Sequence, residues 1–309
     1  MPDTGQHDFE AAAPLPSLAT GETWWSNGKR AGGRMTVCVP CYHDDARPLL
    51  DVLAGLDGAA SINLIAYDDG SRDSDMTASL RAALDGLPGQ AFLITATANH
   101  GRSHARNRLV ETAGSDWILF LDADMRPDDG AFLTRYIEAA REAGGPALIA
   151  GGFSLRHVTP DRSTALHAAQ SRRSECLDAE TRRKAPGRYV FTSNILVHRT
   201  ILDTVGFDEG FTGWGWEDVD WGLRVADRYP VIHIDNTATH LGLDPAPLVL
   251  EDVAYANPGP LSREHARLDG AHPAGATTDK RNLSIQSHTL PPASHCWPCQ
   301  SQSSISRGL

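Results

Sequence analysis

Between residues 34 and 242, short apolar runs alternate with amphipathic stretches. The apolar runs lie at 35–39, 62–67, 91–96 and 117–121. They are continuous rather than alternating, which predicts strands buried on both faces. Helical periodicity fills the gaps at about 46–57, 74–85 and 101–113. Fully apolar strands separated by helices imply a parallel sheet covered on both sides. The pattern then predicts a helix at about 129–143, strands at 147–150 and 194–198, a short helix near 200–205, a helix ending near 227, and a last strand at 231–234.

The flanks read differently. Residues 1–33 are rich in Ala, Pro and Gly without sustained periodicity, and are expected to form a flexible arm, pinned at most by Trp24 and Trp25. Residues 243–309 are dominated by Pro, Ser, His and Gly and are expected to be a disordered tail. The expected domain is therefore 34–242, in two halves at about 34–150 and about 151–242. Within the second half, residues 156–188 carry eight Lys/Arg against four Asp/Glu, which reverses the acidic balance of the chain. Such a segment either forms a solvated face or orders over an anionic acceptor, with Arg182 and Arg183 in contact.

Composition narrows the function. Of 309 residues, 41% are hydrophobic and 22% charged, ordinary for a globular protein. The formal net charge of −11 argues against a general nucleic-acid binder. Five scattered cysteines make no disulfide framework. His295-Cys-Trp-Pro-Cys299 lacks the second pair that a zinc site needs. No apolar run approaches a membrane span and no leader is read at the start, so the expected location is cytoplasmic, at most peripheral to the inner face of a membrane.

Polar clusters stand at the ends of the first four predicted strands, and parallel sheets bind ligands at that edge. Asp68-Asp-Gly-Ser71 is either a plain turn or a carboxylate that accepts from a base N–H. Arg102 and Arg106, four apart at a helix start, suit a diphosphate or a solvated basic face. Asp122-Ala-Asp124 would put two carboxylates on one side of extended backbone, hard ligands for Mg²⁺ or Mn²⁺. A bare D-x-D is otherwise a common acidic turn. The densest cluster is Gly213-Trp-Gly-Trp-Glu-Asp-Val-Asp220, three carboxylates and two indoles in eight residues. Indoles pack on apolar sugar faces and carboxylates work on hydroxyls, so the segment reads as a pocket wall at a helix start. Asp218 and Asp220 point apart on that helix. His240, after the last strand, offers a neutral imidazole to a metal shell.

In order, Val39-Pro-Cys-Tyr42, Asp68-Asp-Gly-Ser71, Asn99-His-Gly101, Ala105-Arg-Asn107 and Asp122-Ala-Asp124 resemble a family 2 glycosyltransferase of the GT-A fold. That fold is α/β and Rossmann-like, a mostly parallel sheet with helices on both faces. The stretch from Phe207 to Asp220 resembles the acceptor-side segment of family 7 β-galactosyltransferases and bacterial capsule polymerases. The resemblance covers about 34–242. It implies that Asp69 contacts a uracil, that Pro40, Tyr42 and Arg106 stand on the donor side, and that Asp122 lies by the ribose and metal. It implies Asp124 and His240 as metal ligands, Trp214 packed over the sugars, Glu217 on acceptor hydroxyls and Asp218 as the base. Trp216 stands where the galactosyltransferases usually carry a second Gly, so acceptor identity is not carried over.

The resulting expectation is a metal-dependent, inverting glycosyltransferase, using Mn²⁺ or Mg²⁺, for polysaccharide biosynthesis. It would move a hexose or N-acetylhexosamine from a UDP-sugar to a hydroxyl of a glycan or lipid-linked acceptor. A sugar-1-phosphate nucleotidyltransferase would want a Gly-rich, Arg-bearing loop after the first strand, where Pro40-Cys-Tyr-His-Asp-Asp45 stands. A non-catalytic sugar-binding protein is the alternative from outside the enzymes.

Overall fold

A computed structural model describes residues 18–211 and 217–245. In chain order the strands are β1 (Glu22–Ser26), β2 (Met35–Cys41), β3 (Asn63–Asp68), β4 (Ala91–Ala96), β5 (Trp117–Leu121), β6 (Met125–Pro127), β7 (Leu148–Ala150), β8 (Phe153–Ser154), β9 (Asn194–His198), β10 (Val231–His233) and β11 (Ala238–His240). The helices are α1 (Arg47–Ala54), α2 (Ser74–Gly86), α3 (Arg102–Thr112), α4 (Phe132–Glu142), α5 (Ala165–Ser174), α6 (Ala179–Arg182), α7 (Arg199–Thr204) and α8 (Glu217–Ala226).

Eight strands form the main sheet in the order β1-β4-β3-β2-β5-β9-β7-β10, and β6-β11-β8 form a second, small one. The centre β4-β3-β2-β5 is parallel, as the apolar runs predict. The sheet is nevertheless mixed, because β9 runs antiparallel between β5 and β7 and β1 antiparallel beside β4.

Both faces are buried, and successive residues serve opposite sides. Val37, Val39, Leu64, Ala66, Leu119 and Leu121 pack with Leu49, Leu50 and Leu53 of α1, Leu80 and Leu84 of α2, and Phe132 and Leu133 of α4. Cys38, Ile65, Tyr67, Ile118 and Phe120 pack with Leu109 of α3, Ile201 of α7, and Trp221 and Val225 of α8. Strand positions on both faces are therefore mostly apolar, which is why the runs are nearly continuous. Local chemistry sets the helix starts. The Asp73 carboxylate accepts from the Asp75 and Met76 N–H groups ahead of α2, and Asp178 accepts from the Thr181 N–H ahead of α6.

Two expectations need correction here. Residues 22–26, assigned to the flexible arm, are strand β1. Its anchor is Glu22, which accepts from Arg108 Nε and Nη2 at 3.0 and 2.8 Å and from the Tyr67 hydroxyl at 3.1 Å. A buried carboxylate paired with a residue 86 positions away leaves no periodicity in the local sequence. The second correction concerns Arg182. It does not reach toward an acceptor; it is fully buried. Its guanidinium donates to the carbonyls of Ala150, Gly151, Leu177 and Ile234 at 2.8–3.1 Å, and to His233 Nδ1 at 2.9 Å. His233 Nε2 in turn faces the Pro186 carbonyl at 3.0 Å. Burial, chiefly, pushes the His233 imidazole down to about 4, so it stays neutral, with one nitrogen accepting and the other donating. Arg183 is exposed and gives one bond, to the His233 carbonyl at 2.7 Å.

Arg182→Met therefore removes the side-chain donor to four carbonyls, of which those of Ala150 and Gly151 keep the Ile234 and Asn236 N–H groups, and should lower unfolding free energy by about 3–5 kcal/mol. Arg183→Ala should cost about 1 kcal/mol or less. Chemical denaturation followed by circular dichroism checks both.

Candidate active site

Strand β3 ends in Asp68, Asp69 follows it, and both carboxylates are buried. Asp68 Oδ1 accepts from the Ser71 N–H at 3.0 Å, and the Ser71 hydroxyl accepts from the His43 N–H at 2.8 Å. This ties the loop after β3 to the loop after β2, where Tyr42 packs on His43 at 4.2 Å between centroids. Pro40 stands one step back, opposite Tyr67 in the β2–β3 register. Asp69 is almost fully buried. It accepts from the His100 N–H at 3.0 Å and the Gly101 N–H at 2.8 Å, at the start of α3. Burial pushes its carboxyl up, and these two amides oppose the shift. Asp69 thus serves first as a cap for α3, a role shared with any base contact. Gly70 makes the turn possible, with φ at +83° and no space for a Cβ beside the Ala98 carbonyl.

The two arginines of α3 part company. Arg102 is exposed and lies 3.6 Å from Glu217 Oε1. Arg106 is 3% exposed and donates from Nη2 to Asp122 Oδ1 at 2.8 Å. The expected two-arginine anion site is not formed, because Arg106 is turned into the protein. Burial works against its charge, while Asp122, Asp218 and Glu217 together hold the guanidinium protonated. One buried cation thus gathers carboxylates from the end of β5 and the start of α8.

The D-x-D is a turn rather than extended backbone. The Met125 N–H donates to the Asp122 carbonyl at 3.0 Å, and the two side chains take separate partners. Asp122 pairs with Arg106. Asp124 Oδ2 lies 3.0 Å from His240 Nε2. The second sheet makes that pairing, since β11 runs beside β6 with His240 opposite Met125, and the Leu241 N–H donates to the Asp124 carbonyl at 2.9 Å. Gly242 crosses directly over the pair, where a Cβ would overlap the Asp124 carboxylate.

In the first turn of α8, Glu217 is buried and Asp218 partly buried. Asp218 accepts from the Thr192 hydroxyl at 2.7 Å and from the Thr192 N–H at 3.0 Å. Burial raises its carboxyl above the usual range; Arg106 and Thr192 oppose that, and Glu217 adds to it. Asp220 turns away to Arg224 at 2.6 Å, which separates its role from that of Asp218 as the helical spacing predicts. Trp214 and Trp216 lie outside the described residues, as do Cys296 and Cys299.

Sequence reasoning missed Thr192, a buried residue just ahead of β9 with no motif around it. It also missed Glu209, which accepts from Asn107 Nδ2 at 2.8 Å and meets His104 Nδ1 at 3.1 Å, fastening the loop after α7 to α3.

The metal expectation has a partial counterpart. Among the described residues, no three His, Cys, Asp or Glu side chains converge into a cluster. Asp124 and His240 alone offer a carboxylate oxygen and an imidazole nitrogen 3.0 Å apart. Two ligands about 2.1 Å from one octahedral ion stand at about that separation. Such a pair fits an ion that keeps waters and takes its other ligands from substrate phosphates.

Residues 36–205 match the family model described as glycosyl transferase family 2, more than half of the chain, and the chain belongs to that family. Solved structures agree on the architecture. A mannosyltransferase from Pyrobaculum calidifontis, PcManGT, solved with GDP-Man and Mn²⁺, is 17% identical with a TM-score of 0.51 over 67% of this chain and 56% of that one. TarS of S. aureus is 15% identical with a TM-score of 0.50 over 67% of this chain and 36% of that one. The match therefore spans less than two thirds of either protein, and at these identities it speaks to the fold, which is GT-A. No curated protein matches the chain by sequence.

Gly70→Ala forces a Cβ into the Ala98 carbonyl at a left-handed φ. It should destabilise the protein by about 2–4 kcal/mol and loosen the Asp69 cap, as read by thermal unfolding and by amide exchange at His100 and Gly101.

Proposed function

We propose that the chain is a metal-dependent, inverting glycosyltransferase that moves a hexose or N-acetylhexosamine from a UDP-sugar to a hydroxyl of a glycan or lipid-linked acceptor. The observation that carries this reading is the pairing of Asp122 with the buried Arg106 at 2.8 Å, two residues before Asp124, which lies 3.0 Å from His240. Membership of glycosyl transferase family 2 supports the reaction class. PcManGT, solved with GDP-Man and Mn²⁺, supports a nucleotide-sugar donor and a divalent ion, and makes GDP the competitor to test against UDP.

Each residue then has one task. Asp124 and His240 hold the ion, which when bound offsets the charge of the departing diphosphate. Asp69 and the loop around Pro40 and Tyr42 form the nucleotide side. Asp122, fixed by Arg106, lies at the ribose. Glu217 orients the acceptor and Trp214 packs over the sugars, by likeness to the acceptor segment of the family 7 galactosyltransferases and capsule polymerases. Asp218 takes the proton of the acceptor hydroxyl as its oxygen bonds to C1, and the C1–O bond to the diphosphate breaks on the opposite face. The donor half is about 34–150 and the acceptor half about 151–242. No helix among the described residues is long and apolar enough to cross a membrane. The reading places the enzyme in polysaccharide biosynthesis on the cytoplasmic side, at most peripheral to the membrane.

Ligand-observed NMR with UDP, GDP and TDP, with Mn²⁺ and then with EDTA, tests donor and metal together. UDP should bind best and should depend on the ion. Asp124→Ala should abolish the dependence and His240→Ala should weaken it. Equal affinity with and without the ion removes the metal reading. Asp218→Asn should cut kcat by about 10²–10⁴-fold with UDP binding retained. Near-normal turnover, or a product with retained anomeric configuration, overturns the assignment of the base.

A further inference from the structure

Both oxygens of Asp218 are held by one residue. The Thr192 hydroxyl donates to Oδ1 at 2.7 Å and the Thr192 N–H to Oδ2 at 3.0 Å. Thr192 is fully buried and Asp218 partly so, which limits competition from water for both bonds. The two residues after it are fastened as well. The Ser193 carbonyl accepts from the Asp122 N–H at 3.4 Å. The Asn194 side chain donates to the Gly152 and Asn236 carbonyls at 2.8 and 3.0 Å and accepts from the Tyr136 hydroxyl at 2.7 Å. Three consecutive residues thus join the Asp122 turn, the start of α8 and the polar core beneath β8.

This inference rests on Asp218 as the base. We propose that Thr192 is a positioning residue for that base: it supplies two of the donors to the Asp218 carboxylate and fixes where its remaining lone pairs point, and hence where the acceptor hydroxyl must sit. An aspartate in the first turn of a helix otherwise has several rotamers to choose from. A carboxylate in apolar surroundings also tends to protonate, and a protonated Asp218 cannot accept a proton. The charged groups acting on it are Arg106 of α3, which favours the ionised form, and Glu217 of α8, which opposes it. Thr192 adds donors on the side of β9.

The sign follows from these bonds. They favour the charged form, so removing one raises the titration midpoint of Asp218. Turnover that needs ionised Asp218 then climbs at higher pH. Thr192→Val keeps the shape and the N–H but loses the hydroxyl. In protein carrying ¹³C-carboxyl aspartate, with Asp218 assigned from Asp218→Asn, the Asp218 midpoint should move up by about one pH unit. Thr192→Ser should restore it. The acid limb of UDP release from UDP-glucose and UDP-N-acetylglucosamine, with water as acceptor, should move in parallel while donor KM stays unchanged. Should Thr192→Val fail to fold, Thr192→Cys, a weaker donor of similar size, should give a smaller shift in the same direction.

An unmoved midpoint in the folded variant, or a Ser variant that behaves like Val, overturns the role of Thr192. That result leaves the base reading standing if Asp218→Asn still abolishes turnover. A midpoint that moves while Asp218→Asn turns over normally overturns the base reading, and the positioning role with it.

Discussion

A guanidinium taken out of water has to be met by charge, and Arg106 is paired with Asp122 at 2.8 Å while Glu217 and Asp218 add to the attraction. Asp122 comes from the end of β5, and Glu217 and Asp218 from the start of α8, about a hundred residues later in the chain. Arg106 itself is carried on α3, whose start is capped by Asp69 from β3. A break at the Asp69 cap would therefore be felt at the proposed base, through α3 and Arg106, without any direct contact between the two carboxylates.

The centre of the fold was legible in the sequence because both faces of its strands are buried. At 91–96, 117–121 and 194–198 the apolar runs coincide with β4, β5 and β9. What the runs do not encode is direction. The pattern of a strand buried on both faces is the same whether its neighbours are parallel or antiparallel, so β9 gives no local sign of its reversal. The short strands β6, β8 and β11 escaped notice for a related reason. Two or three residues carry no period, and their pairing is decided by partners up to about a hundred positions away.

The site was legible as a set of residue types and less so as an arrangement. Asp122, Asp124, His240, Glu217 and Asp218 were all picked out as candidates. The picture of two carboxylates projecting side by side from extended backbone assumed a conformation that the turn at Met125 removes. Charge density misled at Arg182 because a run of basic residues reads as surface. Here one member of the run is buried and donates to four backbone carbonyls. Thr192 left no mark at all, since its importance lies in what its neighbours across the fold present to it.

The edge strand β1 has a bearing on handling the protein that its place outside the site conceals. It pairs with nearly the whole length of β4, residue against residue from Glu22 opposite Ala96 to Ser26 opposite Phe92. Beneath it, β4 is six residues long, almost wholly apolar and free of charge and proline. Strands of that kind pair readily with copies of themselves when their amide edge is bare. A chain trimmed to residue 34 onward would keep every candidate residue of the site and lose this cover. Its failure would then take the form of self-association through β4, with the candidate site itself intact.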